Sequence, residues 1–219
     1  MGKIITVAGH KGGIGKSTQL ISIAVCIALK GKSVCFLECD KQGSIKDFYD
    51  TRTENGILPE IPYFQCFTDI VSQAKKLAGK FDFVCLDTPG SQSPEFMKAL
   101  ACADFMITLI KPGSDIEINT LGKLVYDVKT AQAALNKTLK AYIVLNKCDT
   151  SPTDMEASDL RKMLNDDPDW LPVPRQRIYS RKAHEKAYNR GMGVHEFNDK
   201  NGNKARGEIE LLLKEIELI

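Results

Sequence analysis

The stretch Gly9-His10-Lys11-Gly12-Gly13-Ile14-Gly15-Lys16-Ser17-Thr18 decides the fold of this chain. An apolar strand pattern, Lys3–Ala8, precedes it, and a helical pattern, Lys16–Lys30, follows it. A glycine-rich turn between a strand and a helix lets backbone N–H groups and the positive end of the helix dipole face phosphate. The spacing G-x-x-x-x-G-K-[ST] puts its first glycine at position 10, where this chain has His10, so the loop departs from the ordinary pattern.

The side chains of this loop suit a nucleotide with a bound cation. Lys16 can reach the β and γ oxygens, and Ser17 can give its hydroxyl to Mg²⁺. Thr18 is placed for an α-phosphate contact. The predicted nucleotide-binding residues of the loop are Gly12, Gly13, Ile14, Gly15, Lys16, Ser17 and Thr18.

Short apolar runs alternate with helical patterns along most of the chain, which predicts a doubly wound α/β domain with a mostly parallel sheet covered by helices on both faces. The predicted strands are Lys3–Ala8, Val34–Glu38, Phe81–Leu86, Asp104–Ile110 and Lys140–Leu145. The predicted helices are Lys16–Lys30, Phe67–Ala78, Ser93–Ala101, Asp115–Leu135 and Thr153–Asp166.

The composition of the chain limits the classes of protein to which it can belong. The chain has 219 residues, 43% hydrophobic and 26% charged, which predicts one globular domain over residues 1–219 and excludes intrinsic disorder. No run of about 18 apolar residues is present, which excludes a membrane-spanning helix. The seven cysteines include no C-x-x-C pair, so we expect free thiols in a reducing cytoplasm, and their spacing gives no support for a metal site.

The C-terminal part divides into a basic segment, 175–206, and a terminal helix, 207–219. The basic segment holds nine Lys or Arg and three acidic residues. It is either a solvated face or a contact surface for a polyanion. The predicted terminal helix has an acidic polar face, which suits docking on the core better than insertion into an anionic membrane.

Three further boxes follow predicted strands. Phe83-Val84-Cys85-Leu86-Asp87-Thr88-Pro89-Gly90 ends a buried strand on Asp87, which can hold Mg²⁺ through a water. Glu38-Cys39-Asp40-Lys41-Gln42-Gly43-Ser44 follows the second strand, and Leu145-Asn146-Lys147-Cys148-Asp149 closes the last one.

Together these boxes resemble the deviant Walker A ATPases of the ParA/MinD group. The resemblance implies that Lys11 crosses a dimer interface to the partner's nucleotide, and that Asp40 positions the attacking water. It also implies that Asn146 contacts adenine and that Pro174 and Arg175 pack on the base. Glu38 stands where the family has Asp, and Lys41 stands where it has Pro. The resemblance implies that the Glu38 carboxylate acts near Mg²⁺ through the groups that bind the ion and does not bind it directly.

The Asn146 box also matches the N-K-x-D guanine motif of GTPases, and that string alone does not choose between the bases. The Lys11 loop and the Asp40 box favour ATP and ADP over guanine nucleotides.

The chain begins its first strand at residue 3, with no helix-turn-helix before it, and so resembles the short, ParF-like plasmid-partition ATPases. That resemblance implies a weak, Mg²⁺-dependent ATPase that forms a nucleotide-dependent homodimer, with higher assemblies left open. It further implies a small ParB- or ParG-like centromere-binding partner, non-specific DNA binding, a cytoplasmic, nucleoid-associated location and no membrane contact. The candidate DNA-binding residues are Arg175, Arg177, Arg181, Lys182, Lys186, Arg190, Lys204 and Arg206.

Other readings remain open. The nearest is a MinD-like or other ATPase that positions cargo on a membrane or a protein scaffold. A module that binds nucleotide without turnover is another. An electron donor like the nitrogenase iron protein would need two cysteines per subunit, and Cys102 has no convincing companion.

Overall fold

The computed structural model describes residues 1–9, 13–90, 93–113, 115–151, 155–198 and 200–219. Its centre is a six-stranded sheet in the order β3-β2-β4-β1-β5-β6, in which every pairing is parallel. This confirms the predicted α/β fold. The strands are β1 Lys3–Ala8, β2 Val34–Glu38, β3 Tyr63–Gln65, β4 Phe83–Asp87, β5 Phe105–Ile110 and β6 Lys140–Leu145.

Helices cover both faces of the sheet. They are α1 Lys16–Leu29, α2 Ser44–Glu54, α3 Ile70–Ala78, α4 Pro94–Cys102, α5 Asp115–Ala134, α6 Glu156–Asp166, α7 Lys182–Tyr188 and α8 Lys200–Glu215. Among the described residues, none of these helices is long and apolar enough to cross a membrane.

The sheet separates two apolar cores. Neighbouring strand residues point to opposite faces, so Ile4 joins the core shared with α3, α4, α5 and α6, whereas Ile5 joins the core shared with α1, α2, α7 and α8. Because both faces of the strands are covered, the strands read as continuous apolar runs in the sequence.

Some elements differ from the sequence prediction. The prediction contains no counterpart of β3, α2 or α7. The terminal helix begins at Lys200 rather than 207 and ends at Glu215. The helix predicted from Phe67 begins later than expected, because α3 starts at Ile70. Asp69 caps this helix, since its carboxylate accepts a hydrogen bond from the Ser72 N–H. The predicted start of α6 at Thr153 lies outside the described residues.

Candidate nucleotide-binding site

A cleft of about 910 Å³ lies at the carboxyl ends of the strands. Asp40, Gly90 and Asn146 line it, and they follow β2, β4 and β6 respectively. The loop between β1 and α1 lines it too, which places the start of α1 at the site. This is the edge of a parallel sheet at which ligands of doubly wound folds bind.

The loop takes a backbone shape that requires glycine. Gly13 and Gly15 have φ of 78° and 98°, in the left-handed region. A Cβ added at Gly15 would lie 3.2 Å from the amide nitrogen of Asn146. Along the cleft lie Gly13, Gly15, Lys16, Ser17 and Thr18. Lys11 and Gly12 lie outside the described residues, so their roles stay predictions.

Ser17 and Asp87 form an oxygen-rich corner that fits Mg²⁺. The Ser17 hydroxyl donates a 2.9 Å hydrogen bond to Asp87 Oδ2. Asp87 Oδ1 is buried and has no hydrogen-bond partner among the described residues. Burial raises the pKa of Asp87 to about 7, against the lowering effects of the Ser17 hydrogen bond and the Lys16 charge. An unpartnered carboxylate oxygen beside a hydroxyl is a donor set that a hard divalent cation prefers.

Asp40 lies at the surface of the cleft, whereas Glu38 is buried. Asp40 lines the cleft, and its carboxylate accepts from the Gln42 N–H at 3.0 Å. Glu38 is fully buried. One of its carboxylate oxygens accepts from the Ile45 N–H in the first turn of α2, and the other accepts from the Tyr63 hydroxyl of β3. Both oxygens are therefore engaged by the protein, and Glu38 holds α2 and β3 to the end of β2.

Asn146 and Lys147 brace the phosphate loop from the end of β6. The buried Asn146 amide donates a 2.7 Å hydrogen bond to the Ile14 carbonyl and accepts from Gln19 Nε2 at 3.4 Å. Lys147 Nζ donates to the Gly13 carbonyl at 2.6 Å, and the φ of Lys147 is 54°. A lysine in the left-handed region costs about 1–2 kcal/mol. Both side chains thus fix the loop, a role for Lys147 that the sequence reading missed although the residue stands within the quoted box.

The outer wall of the cleft comes from the segment that leads into α7. Ile178 N donates to Leu145 O, and Ser180 N donates to Cys148 O, so this segment runs along the end of β6. Tyr179, Arg181, Lys182, His184 and Tyr188 consequently line the cleft. Pro174 and Arg175 do not: Pro174 is buried, and the Arg175 N–H donates to Glu215. The cleft is thus lined by residues 179–182 and not by 174–175, and the packing of Pro174 and Arg175 on a base stays a prediction.

His184 is the least expected member of that wall. It is 8% exposed, and neither ring nitrogen has a hydrogen-bond partner among the described residues. Burial, with a smaller effect of Arg181, lowers its pKa to about 4. No pattern in the sequence singles out this histidine.

The eight candidate DNA-binding residues are not equivalent. Arg181 forms a largely buried ion pair with Glu208 at 2.6 Å. Arg177 donates to Ser158 Oγ, and Arg206 Nε is buried. These three guanidinium groups are less available to phosphates than the others are. The exposed members are Arg175, Lys182, Lys186, Arg190 and Lys204.

Comparison with known proteins places this geometry in a family. The model of the CobQ/CobB/MinD/ParA nucleotide-binding domain matches residues 5–194. The chromosome-partitioning ATPase Soj of Thermus thermophilus is 26% identical over 174 residues, which cover 64% of this chain and 67% of Soj. A Borrelia burgdorferi structure described as a plasmid partition protein, bound to AMPPNP, has a TM-score of 0.68 at 21% identity and covers 98% of this chain and 99% of its own. The Cyanothece McdA–ATP complex has a TM-score of 0.77 at 12% identity and covers 99% and 96%.

Proposed function

The chain belongs to the CobQ/CobB/MinD/ParA family of nucleotide-binding domains, and from that membership we propose that it is an ATP-dependent dimerisation switch for DNA segregation. In this proposal it hydrolyses ATP weakly in a homodimer and binds DNA without sequence preference in the ATP state. The observation that carries it is that Lys16, Ser17 and Asp40 line one cleft and that Ser17 is hydrogen-bonded to the buried Asp87. Lys11 adds the dependence on a partner subunit, through the family resemblance.

In the proposed reaction, each group of residues in the cleft has a separate role. The glycine-rich loop and Lys16 bind the phosphates, and Asn146 and Lys147 hold that loop in shape. Ser17 and Asp87 would hold Mg²⁺, which when bound neutralises charge on the β- and γ-phosphates. Asp40 orients a water in line with the γ-phosphorus, so that the water oxygen forms the new bond and ADP leaves with the bridging oxygen. Lys11 of one subunit stabilises the charge of the transferred group on the other subunit's nucleotide.

Partner and location follow from the same proposal. A small centromere-binding protein of the ParB or ParG kind would stimulate hydrolysis, and non-specific DNA binding would keep the dimer on the nucleoid in the cytoplasm. The exposed basic residues of 175–206 support a polyanion surface, since non-specific affinity needs only several phosphate contacts.

A cargo-positioning ATPase is the second candidate, because one structural neighbour is McdA. The membrane version of this candidate has less support from α8. Ile209, Leu212 and Leu213 on its apolar face are at most 1% exposed and lie in the core. A helix whose apolar face is already buried has none left to insert into lipid.

The deciding experiment measures solution mass by light scattering with ADP and with a slowly hydrolysed ATP analogue, together with binding of random duplex DNA at two salt concentrations. We expect a dimer only with the ATP analogue, DNA binding only by that dimer, and steep weakening of that binding with salt. The variant Lys16→Ala is the control, because loss of the phosphate contact should abolish both responses.

A dimer that ignores DNA at low salt would overturn the segregation proposal and favour the cargo-positioning candidate. An unchanged mass with both nucleotides would contradict the dimerisation switch altogether.

A further inference from the structure

Three side chains from separate segments of the chain meet beside α1. Cys26 comes from α1, His195 from the turn between α7 and α8, and Glu210 from α8. The cysteine sulfur, a ring nitrogen and a carboxylate oxygen all lie within 4.8 Å of one another. Cys26 stands ten residues after Lys16, roughly 15 Å along the helix, so this cluster is separate from the nucleotide cleft.

The imidazole of His195 is buried without a partner. Its side chain is 4% exposed, and neither ring nitrogen has a hydrogen-bond partner among the described residues. The Oε1 atom of Glu210 is 3.7 Å from Nε2, which is too long for a hydrogen bond. Buried polar groups are nearly always satisfied, and the described residues leave both nitrogens of this ring open to a ligand.

The turn that carries His195 is held firmly in place. A Cβ added at Gly193 would lie 2.6 Å from Cβ of Val25, so this turn approaches α1 as closely as glycine allows. Glu196 accepts two 2.8 Å hydrogen bonds from the buried guanidinium of Arg52 in α2, and a third from the Gly193 N–H. His195 therefore faces Cys26 and Glu210 because the backbone on both sides of it is fixed.

We propose that Cys26, His195 and Glu210 form a binding site for a transition-metal dication, for which Zn²⁺ is the best candidate. A thiolate, an imidazole and a carboxylate are the three donor types that Zn²⁺ takes in proteins, at about 2.0–2.3 Å. Ligands of a tetrahedral ion then stand about 3.5 Å apart, which requires only a small contraction of this cluster. The Glu210 side chain is 35% exposed, so this ligand reaches solvent, from which a water would come as the fourth ligand.

The charges around the cluster agree with a neutral centre. Lys30 and Lys214 act on Cys26, and Arg206 and Lys30 act on His195. A cation bound to neutral ligands would be repelled by these three groups. A thiolate and a carboxylate together balance a dication, so the occupied centre is itself neutral. Such an ion would tie α8 and the His195 turn to α1, the helix that begins at the phosphate loop.

The test is titration of the full, chelator-treated chain with Co²⁺, which reports a thiolate ligand by an intense ultraviolet charge-transfer band. We expect one equivalent of thiolate-bound Co²⁺, displaced by Zn²⁺. The Asp87 corner can also take a divalent cation but offers oxygen ligands, so it would not produce this band. In Cys26→Ser the band should vanish, whereas in the control Cys66→Ser, which removes the half-buried thiol outside the cluster, it should persist.

Glu210→Gln keeps both the thiol and the fold, because the side chain is partly exposed. Loss of this ligand should weaken Co²⁺ binding by more than about tenfold while retaining the band. Zn²⁺ should raise the midpoint of thermal unfolding of the wild type by more than that of Cys26→Ser, in which only the Asp87 corner is left to bind it. A wild type that gives no charge-transfer band, or a band that survives in Cys26→Ser, would overturn the proposal.

Discussion

At the scale of single residues, Asn146 couples the last strand to the phosphate loop. Its amide is 1% exposed and pairs with Ile14 O and Gln19. Asn146→Ala would leave the Ile14 carbonyl without this donor, so we expect the free energy of unfolding to fall by about 1–3 kcal/mol and ATP binding to weaken. Urea unfolding and nucleotide titration measure both. Lys147→Ala removes an exposed donor to the same loop and should cost less than Asn146→Ala; an Asn146→Ala variant with unchanged stability and ATP affinity would contradict the bracing role.

His184 gives the apo protein a distinct response to acid. Its pKa is about 4 in the folded chain, against an ordinary value of 6.5. As the pH falls below 6.5 the unfolded chain takes up a proton that the folded chain refuses, so stability is lost towards pH 4. We expect a loss on the order of 2–3 kcal/mol at pH 4.5 from this group. Urea unfolding of the wild type and of His184→Gln at pH 7 and 4.5 isolates it, and identical pH responses would refute the buried, neutral imidazole.

At the scale of elements, the ion pair between Arg52 and Glu196 fastens the turn before α8 to the end of α2. The side chains are 3% and 10% exposed. Glu196→Gln leaves a buried guanidinium without its counter-charge, and we expect a loss of about 3 kcal/mol. Glu217→Gln is the matched control, because its pair with Lys140 is exposed and should contribute less than about 1 kcal/mol. Chemical unfolding compares the two, and similar small losses would mean that the pair contributes nothing beyond a surface contact.

The same scale explains which elements the sequence could predict. The five strands found from sequence are runs of buried apolar residues. The strand β3, with three residues and an exposed Gln65, has too short a pattern to stand out. Helix α2 is mostly polar and buries only Ile45, Phe48 and Arg52, so its periodicity is weak. Its position depends on Glu38, a tertiary contact that no local pattern contains.

Some residues of the candidate site could likewise be predicted from the sequence, and others could not. The loop glycines, Lys16, Ser17 and Asp87 were predictable because each stands at a fixed offset from a strand end. The wall at 179–182 was not, because it is set by how the segment after Ile178 pairs with the end of β6. The cluster of Cys26, His195 and Glu210 was hidden for the same reason, since its members are separated widely in sequence and meet only through the packing of α8 on α1.

At the scale of the whole molecule, the proposed switch depends on Lys11 acting between subunits. Lys11→Ala should retain appreciable ATP affinity, since Lys16 still binds the phosphates, but it should impair dimerisation and turnover. Light scattering with an ATP analogue and a phosphate-release assay measure these effects, with Lys41→Ala as the control lysine beside the cleft. Normal dimerisation and hydrolysis by Lys11→Ala would show that this lysine has no role in trans.

The proposed DNA surface also belongs to the scale of the whole molecule. The exposure of the basic side chains shows which of them can contact phosphates. Lys186 of α7 and Arg190, two residues after this helix, are both exposed, whereas Arg181 is ion-paired with Glu208. Reversing both exposed charges, Lys186→Glu with Arg190→Glu, should weaken binding to every duplex alike and lower the slope of log affinity against log salt by about two phosphate contacts. Lys162→Glu, an exposed change on α6, is the control. If the double variant keeps the wild-type slope while Arg175→Glu or Lys204→Glu lowers it, the DNA lies along α8 and the loop before Ile178 rather than along α7.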